Sequence, residues 1–146
     1  MCRMTRLPEL SEVVRETLSV FVRRVREQTR TPRTAQWETL HLLEQDGPMT
    51  VATLARLRGV KHQSMRLVVA ELEDQGLVQR VEDRNDARAQ LISLSKAALA
   101  RLRKSRQARA AWIARRIDRT LSDAEKRDLQ RGMMVLRRML EEESSA

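Results

Sequence analysis

The chain has 146 residues, 41 % hydrophobic and 34 % charged, and its 29 Lys and Arg against 20 Asp and Glu leave a net charge of +9. That length supplies one domain, residues 1–146, with an apolar core of its own, and four Gly with three Pro are too few for a many-turned all-β fold. One Cys excludes a disulfide framework and two His exclude a His-based metal cluster, while the basic surplus points to a polyanion: DNA, RNA or an anionic membrane surface.

The periodicity predicts a helix over residues 7–28, with Leu7, Leu10, Val14, Leu18, Phe21 and Val25 on one face. Glu residues lie in its early turns and Arg residues in its late ones, the order that suits the helix dipole. Pro32 breaks it. A second helix runs from about Thr34 to Gln45, faced by Trp37 and Leu40 and stopped at Gly47-Pro48. Thr50 then caps a short helix that ends at Gly59. Another helix spans about His62 to Gln75, with Met65, Val68, Val69 and Leu72 inward and Gly76 at its end. Two helices joined around a glycine form a helix-turn-helix outline, a weak signal by itself.

The next segment strengthens it. Leu77–Val81 and Gln90–Leu94 read as two short strands around a polar turn at Asn85-Asp86, a hairpin directly after the second helix of the pair. This order is a winged helix. Ser95 then caps a helix to about Thr120, and Ser122-Asp123-Ala124-Glu125 is a capping box opening a last helix striped by Leu129, Met133, Leu136 and Leu140. The expected fold is mainly α with a small β-wing. Residues 34–95 form a DNA-binding lobe, and residues 7–30 and 96–143 form long dimerisation helices. A helix of about 22 residues spans roughly 33 Å, so such helices overhang the small lobe and leave apolar stripes for a second chain to cover.

Residues 54–66 (LARLRGVKHQSMR), 67–80 (LVVAELEDQGLVQR) and 83–95 (DRNDARAQLISLS), with the Asp-x-Arg element at Asp86 and Arg88, resemble the MarR-type (multiple antibiotic resistance regulator) winged-helix transcription factors. The close match covers about residues 49–96, and the flanking helices agree in number and placement. The resemblance implies an obligate homodimer on a roughly palindromic operator, with recognition helices in the major groove and wings at the minor groove. It also implies a repressor released by a small phenolic or aromatic ligand, or by an oxidant.

His62, Gln63, Ser64 and Arg66 occupy the family's base-contacting positions, and their chemistry suits base readout, since Gln pairs with adenine and Arg with guanine. Lys61 is placed for a phosphate. In the family an Arg or Lys is frequent one position after Arg66; here that position holds Leu67. Arg88 is the wing residue for a narrow minor groove, Asp86 its partner in a charge-assisted pair, and Arg84 a phosphate or groove contact. The competing reading of Asp86 and Arg88 is a surface ion pair that stabilises a turn. Trp37 and His41, one turn apart, with Trp112 approaching, mark where a ligand pocket lies; a core Trp and a satisfied His is the plainer reading. Cys2 is expected to be an unreactive thiol rather than a redox sensor, having no Tyr to bond it.

Other classes fit less well. Three aromatic residues (Phe21, Trp37, Trp112) are too few for base-stacking platforms. No apolar run approaches a bilayer span and no signal-peptide stretch precedes the first helix, so the expected compartment is the cytoplasm, with no membrane partner. No phosphate loop, nucleophile motif or metal cluster points to an enzyme or a cofactor. The alternative is a basic RNA- or ribosome-binding structural protein with little sequence specificity. The charge does not decide between them: residues 96–120 carry 9 basic residues and 1 acidic one, whereas residues 34–76 carry 4 and 6. The start of the last-but-one helix (Lys96, Arg101, Arg103, Lys104) is open to two readings, flanking phosphate contacts or a solvated face.

Overall fold

The computed structural model describes residues 6–86 and 88–141. Among these residues the elements run α1 (Leu7–Gln28), α2 (Ala35–Asp46), α3 (Val51–Arg58), α4 (His62–Asp74), β1 (Val78–Glu82), β2 (Gln90–Leu94), α5 (Lys96–Thr120) and α6 (Asp123–Glu141). Cys2, and Glu142 and Glu143 of the expected last helix, lie outside the described residues.

Side-chain caps set the helix starts. Thr34 accepts from the Trp37 N–H, Thr50 from Thr53 and Ser95 from Ala98, at 3.1–3.2 Å. The capping box at α6 is formed: the Ser122 N–H donates to Glu125 Oε2 at 2.8 Å, and the Glu125 N–H reaches back to Ser122 Oγ. Gly59 adopts φ +63° past the end of α3, a left-handed conformation costly for any side chain, and so sets the turn into α4.

The hairpin pairs antiparallel from Val78↔Leu94 to Glu82↔Gln90. Its first strand starts one residue later than the alternation predicts. The Leu77 N–H is spent on Leu72 O at 2.9 Å, closing α4, and its side chain is buried in the core. Met49 bridges Ile92, which ties the segment before α3 to the wing. Ser95 joins three elements: it caps α5, its hydroxyl donates to Gly76 O at 2.7 Å, and its N–H donates to Leu77 O. Ser95→Ala removes the cap and the tie together. It is expected to cost about 1–2 kcal/mol, read as a lower urea midpoint with an unchanged slope. An unmoved midpoint would show that the tie is idle.

The core lies between the reading helices, the wing and the start of α5: Leu40, Leu54, Met65, Leu72, Ile92 and Leu102 are all essentially inaccessible. The terminal helices differ. Of the stripe predicted on α1 only Val25 is buried, and Leu7 is 80 % exposed. On α6 no residue is buried. The physical reason is that, among the described residues, α1 packs mainly on α5, and α6 packs on no other element to a comparable extent. Among the described residues no helix is long and apolar enough to cross a membrane.

Candidate nucleic-acid interface

Met65, Val69 and Leu72 hold α4 against the core. Its other side presents His62, Gln63, Ser64, Arg66 and Leu67 to solvent, with Lys61 at the entry, all exposed. The start of α4 differs from those of α2, α3 and α5. Lys61 occupies the cap position in an extended conformation and makes no side-chain cap bond. The first-turn N–H groups are therefore left for an outside acceptor at the positive end of the helix dipole, beside the Lys61 ammonium. The far end of α4 is acidic and internally engaged. Gln36 donates to Glu71, and Arg80 of β1 grips Glu73 through two hydrogen bonds of 2.8 and 3.1 Å. Only the first half of α4 thus suits a phosphate-lined groove.

The wing tip lies between β1 and β2. The Asn85 N–H bonds to Asp83 Oδ1 at 2.9 Å and the Arg88 N–H to Asp86 Oδ1 at 3.0 Å. Asp86 therefore shapes the turn through the Arg88 backbone. Where the sequence offered a carboxylate–guanidinium pair, no ion pair is formed by Arg88 or by Arg84 among the described residues. Both side chains are exposed.

A cavity of about 590 Å³ lies under α1, between α2, the end of α3 and α5. Trp37 and His41 both line it, in an edge-to-face contact with ring centroids 5.4 Å apart. Trp112 does not line it. It faces Val20, Phe21 and Arg24 in a separate groove between α1 and α5, because Arg109 and Ile113 take the inward side of α5. The spacing points to none of the four charged residues that line the cavity: Arg26, Glu38, Arg58 and Arg109. Arg58 pairs with Glu38, and Arg106 with Glu44. These partners come from different helices, 20 to 62 residues apart, so no periodicity links them. The Trp37 Nε1–H and Arg58 Nε–H are buried donors with no hydrogen-bond partner among the described residues.

The cavity wall is cationic. Burial and then the Arg109 charge hold His41 below its ordinary 6.5, Arg106 and Arg26 add to this, and Glu44, 3.7 Å from Nδ1, opposes it. The folded protein therefore takes up this proton less readily than the unfolded chain. The stability that depends on neutral His41 is complete above about pH 6.5 and is lost as pH falls through the lowered folded value. The melting temperature is expected to fall between about pH 7.5 and pH 5, and to fall less in His41→Gln. Equal slopes in the two proteins would remove His41 as the cause. Among the described residues no group of three or more His, Cys, Asp or Glu stands ready for a metal ion.

Known proteins resemble this chain in sequence and in fold. The MarR family model matches residues 30–89. An HTH-type transcriptional regulator of Mycobacterium tuberculosis is 36 % identical over 110 residues, covering 75 % of this chain and 76 % of that protein. A counterpart in Mycobacterium leprae is 35 % identical over 97 residues, 66 % of each chain. Among solved structures, a transcriptional regulator from Thermotoga maritima superposes with a TM-score of 0.79 at 21 % identity, covering 94 % of this chain and 98 % of that one. A MarR family protein from Bacillus stearothermophilus gives 0.69 at 23 %, covering 96 % and 99 %.

Proposed function

Because the chain belongs to the MarR family of DNA-binding transcriptional regulators, we propose that it is a homodimeric repressor of the cytoplasm, bound to a palindromic operator and released by a small aromatic or phenolic ligand. Residues 34–95 act as the reading lobe, and α1, α5 and α6, within segments 7–30 and 96–143, pair two copies. The first half of α4 enters the major groove, where Gln63, Ser64 and Arg66 meet base edges beside His62. Lys61 and the uncapped helix start hold a phosphate, and Arg84, Asp86 and Arg88 bring the wing to the minor groove.

One observation carries the dimer: the reading lobe completes its core within one chain, while Leu10 and Phe21 of α1 and Met133 and Leu140 of α6 stay exposed. The cavity supports ligand release. Its volume suits a small molecule, and its lining joins apolar Phe21, Val22 and Ile113 to Trp37 and Arg58, each of which carries a buried donor without a partner among the described residues. Arg58 is the last residue of α3, so a ligand that draws on it acts on the Gly59 turn that sets α4. Trp112, outside the cavity, is assigned to the pairing surface instead.

In vitro selection of bound DNA, with light scattering of the protein alone, tests the reading. A palindrome with half-sites about one helical turn apart, and a particle of about twice the chain mass, are expected. DNA bound without sequence preference would favour the nonspecific basic protein instead.

A further inference from the structure

One large apolar side chain on α4 stands mostly in solvent. Leu67 is 59 % exposed. It lies about 200° around the helix from each of the buried residues Met65 and Val69, so it points directly away from the core. Gln63 precedes it by one turn on the same line, and Ser64 and Arg66 flank it on opposite sides. Leu67 is thus the apolar centre of a polar face, in the half of α4 that the acidic residues leave free for DNA.

The charge balance raises the value of such a contact. Residues 34–76 carry 4 basic and 6 acidic residues, and residues 77–95 carry 3 of each. Attraction to phosphates from this lobe is correspondingly small, and contacts at base edges must supply more of the affinity. In the major groove thymine alone presents a methyl group. Cytosine presents an amino donor at the neighbouring position, which an apolar side chain leaves unpaired.

We propose that Leu67 is a specificity-determining residue that packs against the C5-methyl of a thymine in each half-site, with Gln63 on an adenine one or two base pairs away. The spacing follows from the helix: one turn advances about 5.4 Å, or roughly 1.6 base pairs at 3.4 Å each. The assignment rests on α4 being the reading helix.

Deoxyuridine substitution tests it, because uracil keeps thymine's base pairing and removes only the methyl. In the operator selected with the full chain, thymines are replaced one symmetric pair at a time and binding is measured at fixed salt. One pair is expected to weaken the wild-type protein about fourfold per half-site, the equivalent of one buried methyl group. Leu67→Ala should bind the thymine and uracil operators alike. Since Leu67 is exposed, this variant keeps its fold, which thermal melting verifies. A selected operator with no sensitive thymine overturns the assignment, as does equal sensitivity in Leu67→Ala, and both leave the DNA reading intact. Failure to select any sequence removes that reading and the Leu67 contact with it.

Discussion

Replacing Met133 and Leu140 together by glutamate is expected to yield a folded monomer that no longer binds the full operator tightly. The two side chains stand seven residues apart on one stripe of α6, 44 % and 71 % exposed. Within the chain neither is buried, and no described residue of α6 is. In a dimer each leaves water, which is worth about 1.5–3 kcal/mol per side chain, and a glutamate in the same place must instead be desolvated. Scaled to the surface still exposed, the burial lost is about 2–3 kcal/mol per chain before the desolvation of the glutamates is added, and it counts twice across a two-fold axis. Operator affinity follows, because two reading heads on one particle gain from the high effective concentration of the second half-site. Light scattering should give a mass near 17.0 kDa, and melting of the reading lobe should stay cooperative. Retention of a dimer would place the interface elsewhere.

Arg88→Ala is expected to weaken operator binding by about 1–3 kcal/mol at fixed salt, roughly 5- to 150-fold. The wing already directs this residue. Its N–H is held by Asp86 Oδ1 at 3.0 Å, while its guanidinium has no ion-pair partner among the described residues. A guanidinium kept out of internal pairs has nothing to break before it enters a narrow minor groove, where the negative potential is strongest. The same freedom means that stability should not change. A gel-shift titration showing wild-type affinity would remove Arg88 from the interface.

The residues differ in how much of this is legible in the sequence. Thr50, Ser95 and Ser122 announce helix starts because a cap is a local bond, closed within three residues, and each one forms. The inward face of α4 is legible for the same reason: Met65, Val69 and Leu72 repeat at the helical period. The stripe on α1 is plain as a pattern, but a pattern does not say what covers it. Most of that stripe is bare within one chain. Spacing alone brings Trp112 near Trp37 and His41, yet a rotation of about 100° on α5 separates them, and Ile113 faces the cavity in its place.

The amino-acid sequence by itself determined the order of elements, the helix limits to within a residue or two, the exposed face of α4 and the polar wing, because these depend on bonds and periods a few residues long. It also carried the family resemblance that names the kind of protein. Only the tertiary structure decided which apolar residues one chain can bury. It alone brought Glu38 to Arg58 and Glu44 to Arg106, and left Trp37 and Arg58 with buried donors that have no partner among the described residues. These pairs join residues far apart in the chain. Their meeting is set by how helices pack, and that packing has no period from which to read it.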